Sequence, residues 1–121
     1  MKVLDCKNIV PVNFLGGKSK RIVTKVHQVG FGICETHVEK GGPYHWHYKN
    51  HLEACYCVSG IGFLTNLKTE MNYKITPGVT YVLDKHDDHL FEAITDVVLI
   101  SVFNPPLNGD ETHDSEGNYK L

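Results

Sequence analysis

Residues 45–60 carry the densest group of potential metal ligands in the chain. Three imidazoles and a carboxylate, from His45, His47, His51 and Glu53, lie just before an apolar and aromatic run that ends at a glycine. Imidazole and carboxylate groups together suit iron, zinc, manganese or copper, and a catalytic metal needs about three protein ligands and an open position. A single histidine is more often a surface or hydrogen-bonded core residue. The grouping favours a metal site, although spacing does not choose the metal.

Strand geometry indicates which of these groups face inward. If residues 52–58 are extended, Glu53, Cys55 and Cys57 share one face, and His51 falls on the same side. A second group, His86-Asp87-Asp88-His89, follows a Pro-Gly turn and the short run Val79–Leu83. The early glutamate and a late histidine could therefore meet across a closed barrel.

Several candidates also have purely structural explanations. Tyr81 could equally be a core residue whose hydroxyl forms a hydrogen bond within the protein. Cys55 and Cys57 are typical of buried thiols that fill a strand face, and only less often of soft metal ligands. Glu111 and His113, in the polar tail, would ordinarily be solvated. These alternatives stay open on the residues alone.

The elements that position these residues are predicted to be β-strands. No segment shows helical periodicity over eleven residues, whereas short alternating runs are separated by glycine and proline. Gly41-Gly42-Pro43 is expected to break the chain between strands, and Asn104-Pro105-Pro106 to end the last one. Eight or more short strands favour an all-β sandwich or jelly-roll barrel. The predicted strands are an edge strand within 2–15, then 21–28, 31–39, 52–58, 60–67, 71–76, 79–83, 89–94 and 97–103.

Length and charge narrow the function. The 121 residues are expected to form a single domain. Twelve basic and fourteen acidic side chains give a net charge of -2, without a long basic run, so we expect no nucleic-acid partner and a small molecule instead. No stretch resembles a signal peptide or a membrane span. The four cysteines do not form a dense disulfide framework, so a reduced, cytoplasmic protein is expected.

Longer motifs resemble known families. The His-x-His, glutamate and glycine of the first cluster, with the later Pro-Gly turn and histidine, resemble the two cupin motifs, although the spacing from His47 to Glu53 is longer than usual by a residue or two. Four segments are more specific and resemble the ectoine synthase family, with a likeness running from about Gly30 to the C-terminus. They are residues 47–54, 77–89, 102–107 and 111–114.

The resemblance implies an all-β cupin double-stranded β-helix, that is, a jelly-roll barrel, over residues 1–121, with 104–121 as a C-terminal tail or lid over the barrel mouth. It implies a homodimeric hydro-lyase that cyclises N-γ-acetyl-L-2,4-diaminobutyrate to the compatible solute ectoine with loss of water. The implied Fe(2+) ligands are Glu53, Tyr81 and His89. Acid–base groups are expected near the metal: His51 first, with Tyr48, Glu111 and His113 as further candidates. The implied substrate-binding residues are Arg21, Thr36, Tyr48, Phe103, Glu111 and His113, and strand parity places Ser101 beside Phe103.

Two positions differ from what the resemblance implies. The family commonly has a tryptophan where Gly17 stands and a cysteine where Ser101 stands, so we expect a wider or more polar pocket. Trp46 could compensate for the missing indole or could pack on the outside. Two further functions therefore stay open: a related cupin enzyme acting on another small amide or amino acid, and a non-catalytic metal-binding cupin.

Overall fold

Two antiparallel β-sheets face each other in the computed structural model, which describes residues 1–119. The six-stranded sheet has the order β1-β2-β3-β10-β5-β8 and the four-stranded sheet the order β4-β9-β6-β7. Lys120 and Leu121, the end of the predicted lid, lie outside the described residues. The strands are β1 (Val12–Phe14), β2 (Gly17–Val23), β3 (Gly32–Val38), β4 (Gly41–Trp46), β5 (Leu52–Ser59), β6 (Gly62–Asn66), β7 (Asn72–Ile75), β8 (Thr80–Leu83), β9 (His89–Ala93) and β10 (Val97–Asn104).

The core lies between the sheets because alternate residues of each strand point inward. On β5, the buried positions are Glu53, Cys55 and Cys57, as the alternation predicted. Between Met1 and Tyr119 the only helices are single 3-10 turns at Cys6–Asn8 and Lys25–His27, and none could cross a bilayer. The prediction of an all-β jelly roll is confirmed. The largest fully buried apolar side chains are Phe91, Ile75, Leu99, Leu107, Val38 and Val97.

The strand predicted to end before Gly41-Gly42-Pro43 does end, at Val38, but the break is not at these three residues, because they begin β4. The register of β4 with β9 is irregular between Gly41 and Tyr44. Gly41 and Gly42 have φ of +135° and +93°, which residues with a Cβ rarely adopt, and this is how a bulged strand passes the point. The glycines therefore shape a strand start instead of a loop.

The strand predicted over residues 21–28 is wrong beyond Val23, where β2 ends. The backbone N–H of Thr24 donates to Nδ1 of His27 at 2.9 Å, which closes a 3-10 turn. Local side-chain hydrogen bonds of this kind compete with strand pairing. β2 instead begins earlier, at Gly17, and carries Arg21 on its inner face.

The tail beyond β10 has no regular structure over its described part, yet it is packed against the barrel. Leu107 is 1% exposed, and its carbonyl accepts from the Lys25 N–H at 2.8 Å. Thr112 Oγ1 donates to the Asn13 carbonyl at 2.7 Å. The tail thus contributes both to the core and to one side of the candidate site.

Candidate active site

A buried carboxylate lies on the inner face of the six-stranded sheet. Glu53 on β5 is 7% exposed, and burial raises its pKa to about 7, opposed by hydrogen bonds with Cys55 and Ser101. Ser101 on β10 pairs with Cys55 in register, and their Oγ and Sγ atoms are 3.5 Å apart. Ser101 Oγ is also 2.9 Å from Thr36 Oγ1. No lysine, arginine or histidine of residues 1–119 forms a salt bridge with Glu53, so a bound cation would stabilise its ionised form.

Tyr81 on β8 points inward, as predicted from its parity with Leu83. It lies opposite Cys55 in the β5–β8 register, and its phenol and the Glu53 carboxylate both contact the Cys55 thiol. Burial raises the pKa of Tyr81 well above its ordinary value. Tyr81 and Glu53 therefore flank the same thiol on neighbouring strands.

His89 begins β9 on the facing sheet and is 1% exposed. Its Nδ1 lies 2.8 Å from the Asp87 carbonyl and donates to it, while its Nε2 is buried without a hydrogen-bond partner among the described residues. Burial lowers the pKa of His89 to about 4, so the ring is neutral. A neutral imidazole fixed through Nδ1, with Nε2 left open, is the usual arrangement of a metal-ligating histidine.

Tyr81 and His89 also line one cavity of about 720 Å³. Tyr81 thus lies beside the thiol that Glu53 also contacts, and it lines the same cavity as His89. Over residues 1–119, no three histidine, cysteine, aspartate or glutamate side chains are grouped closely enough to hold a metal ion. The predicted set has only two such groups, and its third donor is a phenol. One carboxylate, one phenol and one open imidazole nitrogen are donors that fit iron.

His45 and His47 lie outside this site. The His45 ring is hydrogen-bonded to the Asp88 carboxylate, and His47 Nδ1 is 3.6 Å from the same carboxylate. His47 Nε2 is also 2.9 Å from the His86 carbonyl. Their side chains are 44% and 23% exposed. The dense histidine group in the sequence is therefore mostly a surface hydrogen-bond cluster, and only its later members turn inward.

Arg21 provides a buried cation on the same sheet as Glu53 and Tyr81. Its side chain is 2% exposed, and its Nε donates to Ser19 Oγ at 2.9 Å. Its Nη1 lies 3.9 Å from Glu111 Oε1 and has no hydrogen-bond partner within residues 1–119. Glu111 is itself held by the N–H groups of Asn108 and Gly109, at 2.6 and 2.8 Å. The guanidinium thus retains a donor for an anion.

Tyr48 and His113 form a hydrogen-bonded pair beside Arg21. The Tyr48 hydroxyl lies 2.9 Å from His113 Nε2. The Tyr48 ring packs edge-on against Phe103 at 5.7 Å and lies 6.0 Å from the His89 ring. Burial, with a further contribution from Arg21, lowers the pKa of His113 to about 3. We call Arg21, Tyr48, Phe103, Glu111 and His113 the chamber.

His51 borders the chamber. It is 2% exposed, contacts the Phe103 ring edge-on at 6.0 Å and has a buried Nδ1 without a partner among the described residues. Burial lowers its pKa. Together with Glu111 it lines a second cavity of about 270 Å³. All of the predicted substrate and acid–base residues are thus on the interior or at its edge.

The space beside Gly17 is occupied. A Cβ at Gly17 would lie 2.0 Å from the His37 carbonyl oxygen and 3.2 Å from Phe14 Cζ, so no side chain fits there without backbone movement. Phe14 contacts Trp46 edge-on at 5.7 Å, and both rings lie against His113, at 5.0 and 5.8 Å. Trp46 therefore packs inside, and Phe14 leaves no gap above Gly17. Ser101 does add a hydroxyl to this interior.

Tyr119 is a chamber neighbour that the sequence analysis missed. Its ring stacks on Tyr48 at 5.0 Å, and its hydroxyl lies 3.3 Å from Arg21 Nη2. No motif or periodicity marked it, because it follows Gly117-Asn118 in a polar tail. The same holds for Phe14, which lies on the short edge strand β1.

Comparison with known proteins identifies relatives across nearly the whole chain. The family model described as ectoine synthase matches residues 5–121. The L-ectoine synthase of Teredinibacter turnerae is 44% identical over 104 residues, which cover 86% of this chain and 79% of that protein. The L-ectoine synthase of Alkalilimnicola ehrlichii is 40% identical over 126 aligned positions, covering 100% of this chain and 96% of that one.

Solved structures give the same result. The crystal structure of ectoine synthase from P. lautus superimposes with a TM-score of 0.85 at 34% identity, over 90% of this chain and 81% of that one. An RmlC-like cupin from Shewanella frigidimarina superimposes with a TM-score of 0.66 at 19% identity, over 82% and 86% of the two chains, and supports the cupin fold alone.

Proposed function

The chain belongs to the ectoine synthase family, and on this premise we propose how its residues carry out the reaction. It is a hydro-lyase that cyclises acetyldiaminobutyrate to ectoine with loss of water. In this reaction the α-amine attacks the side-chain acetamide carbonyl, the carbonyl oxygen leaves as water and a cyclic amidine remains. An amide is a poor electrophile, so the residues must orient the chain and manage two protons.

Glu53, Tyr81 and His89 would hold an iron(II) ion in this proposal. The observation that carries it is the buried His89 ring, whose Nδ1 is fixed by a carbonyl and whose Nε2 has no partner in residues 1–119. The buried Glu53 carboxylate, which no described basic side chain pairs with, supports it further. When bound, iron(II) supplies a Lewis acid for the acetamide oxygen, and no redox change is required.

Arg21 binds the substrate carboxylate. Its buried guanidinium has an unpaired Nη1 within the described chain, and a guanidinium is suited to bidentate contact with a carboxylate. Phe103 offers an apolar wall beside Tyr48. The hydroxyls of Thr36 and Ser101, hydrogen-bonded to each other, provide polar contacts on the same sheet as Arg21. Anchoring the carboxylate at Arg21 limits the conformations of the flexible chain and favours a near-attack form.

The Tyr48–His113 pair is our acid–base assignment. The attacking amine must lose a proton, and the neutral His113 ring can take it at Nδ1, which has no partner in residues 1–119, while its Nε2 passes a proton to Tyr48. The hydrogen bond to Tyr48 gives the proton a path toward the departing oxygen. His51, the first candidate from sequence, is buried at the chamber edge and is the alternative. Glu111, held by two backbone amides and near Arg21, positions the guanidinium.

Residues 104–121 form a lid that excludes water from the dehydration. Support comes from the tail's contacts with β1 and with the residues that follow β4. Leu107 belongs to the core, so a chain ended directly after Leu107 should still fold. We expect it to keep its metal and to lose turnover. Full activity of this shortened chain would refute the lid.

The active form is a homodimer in this proposal. The outer face of the six-stranded sheet exposes neighbouring apolar side chains on β5, β8 and β10. Tyr56, Val58, Val82 and Val102 are 50%, 46%, 59% and 37% exposed. Val82 and Val102 both lie opposite Ala54, so the exposed groups are contiguous. A patch of this kind on a sheet face is typical of an interface.

We place the enzyme in the cytoplasm. Its four cysteines are free thiols, and three of them are buried in the barrel. Proteins of oxidising compartments seldom keep several thiols unpaired. The proposal agrees with a metabolic enzyme acting on a small intracellular amino acid derivative.

The activity is tested directly by incubating iron-loaded protein with N-γ-acetyl-2,4-diaminobutyrate and detecting ectoine by chromatography. We expect ectoine to form, and to form far more slowly after chelation. A shorter acetamide without the α-amine serves as the control and should remain unchanged. Absence of ectoine with saturated metal would contradict the assignment, and turnover of another amide would point to the related-substrate alternative.

A further inference from the structure

Tyr119 fills the middle of the chamber. It is 3% exposed although it is the last described residue. Its ring lies 5.0 Å from Tyr48, 5.8 Å from Phe103 and 4.7 Å from His113. A substrate that reaches these three side chains and Arg21 at once needs the space that this ring occupies.

The polar end of Tyr119 is directed at the cation of the chamber. Its hydroxyl accepts from Arg21 Nη2 at 3.3 Å, and the guanidinium carbon lies 5.4 Å from the ring centroid. The phenol is a neutral acceptor of a single bond, whereas a carboxylate is charged and can accept two parallel N–H bonds from a guanidinium. An incoming carboxylate therefore outcompetes the phenol for Arg21.

We propose that Tyr119 is a gate residue that competes with the substrate carboxylate for Arg21 and so sets the apparent affinity of the enzyme. The proposal rests on the carboxylate-binding role of Arg21 proposed above. When substrate arrives, its carboxylate takes the Arg21 donors and the Tyr119 side chain moves aside, while the part of the tail before Gly117 stays over the barrel.

The tail segment that carries Tyr119 is held to the barrel by hydrogen bonds that water can replace. The Gly117 carbonyl accepts from the His47 N–H at 3.0 Å, and Asn118 Oδ1 accepts from the Lys49 N–H at 2.8 Å. The Tyr119 carbonyl accepts from Asn50 Nδ2 at 2.9 Å. Such hydrogen bonds near the surface are replaced by bonds to water at small net cost, so residues 117–119 can shift while the earlier part of the tail stays in contact with the barrel.

Gly117 lets the segment approach closely. Its φ is +73°, and a Cβ there would lie 2.2 Å from the His45 carbonyl oxygen. The turn is closed by Asp114, whose Oδ1 accepts from the N–H groups of Glu116 and Asn118 at 2.8 and 3.1 Å. The turn thus holds the Tyr119 hydroxyl within hydrogen-bonding distance of Arg21.

The test is the variant Tyr119→Phe, which keeps the ring and removes the bond to Arg21. We expect KM to fall roughly tenfold, the factor typical of one hydrogen bond to a charged group, with kcat unchanged. Tyr73→Phe removes an exposed hydroxyl on β7 and is the matched control, with an unchanged KM. If Tyr119 were instead a fixed wall that positions substrate, KM would rise, and a raised or unchanged KM overturns the proposal.

A binding measurement separates the gate from the chemistry. Trp46, the only tryptophan, lies 5.8 Å from the His113 ring that contacts Tyr119, so its fluorescence reports on the chamber. Titration with ectoine should give a Kd tightened by the same factor in Tyr119→Phe. A lower Kd in Tyr119→Phe would support the gate even if neither wild type nor variant converted the substrate. Such a lack of turnover would count against the proposed reaction and not against the gate.

The Arg21→Gln background completes the test. Removing the shared partner should abolish the effect of Tyr119→Phe on both KM and Kd, because the two residues act through one contact. An effect of Tyr119→Phe that persists at full size in this background would overturn competition at Arg21.

Discussion

Replacing Tyr48 with phenylalanine isolates one hydrogen bond at the centre of the chamber. The Tyr48 hydroxyl lies 2.9 Å from His113 Nε2, and the other ring nitrogen of His113 is buried without a partner in the described chain. The variant therefore leaves both ring nitrogens of His113 unsatisfied. An unsatisfied buried polar group costs about 1–3 kcal/mol, and we expect the free energy of unfolding to fall by this amount.

The same change should lower kcat. If Tyr48 and His113 share the proton transfers, the loss should be roughly a hundredfold or more, as is typical of general acid–base groups. KM should change little, because the ring contact with Phe103 remains. The pattern of a low kcat with a nearly constant KM is specific to a group that acts in the transition state.

Two assays check this prediction: urea unfolding followed by fluorescence, and initial rates of ectoine formation. Tyr73→Phe is the control and should lie within about 0.5 kcal/mol of wild type, as is usual for surface changes. A Tyr48→Phe variant with wild-type stability and wild-type kcat would refute both the buried hydrogen bond and its catalytic use.

Three further predictions concern other parts of the molecule. Arg21→Gln should raise KM by roughly 30-fold or more, which is the usual cost of truncating one member of a buried charge pair. Arg21→Lys should restore the KM only in part, because lysine cannot form two parallel hydrogen bonds to a carboxylate. An unchanged KM would exclude carboxylate binding by Arg21. The pKa of His113 is lowered from 6.5 to about 3, so as the pH falls through this range the unfolded chain binds a proton that the folded chain does not, and the free energy of unfolding falls. His113→Gln should lose less stability over the same range. Parallel plots of unfolding free energy against pH for the two proteins would contradict this prediction. Val82→Lys on the outer sheet face should yield monomers in sedimentation analysis, whereas an intact dimer would exclude this face as the interface.

Strand periodicity accounts for how much of the site could be predicted. The alternation of residues 52–58 and 97–103 placed Glu53 and Ser101 inward, and parity with Leu83 placed Tyr81 inward, as the structure has them. Alternation is informative here because these strands have one buried face. Residue type was a poorer guide at Gly41-Gly42-Pro43, where the glycines and proline predicted a break but instead begin a strand with an irregular register.

Residues whose role depends on contacts distant in the sequence were harder to predict. His45 and His47 have ideal metal-ligand chemistry, but Asp88 binds them both at the surface. Tyr119 carries no periodic signal, because its position depends on how an irregular tail folds back over the barrel. Tertiary contacts of this kind are not encoded in local spacing.

Iron retention tests the central claim most directly. Wild-type protein, loaded with iron(II) and desalted, should hold an equimolar amount of iron by elemental analysis, and Glu53→Ala and His89→Ala should each lose it. His45→Ala, which removes an exposed imidazole of the same sequence cluster, should retain it. Undiminished iron in the first two variants, or its loss in the third, would contradict a metal site made by Glu53, Tyr81 and His89.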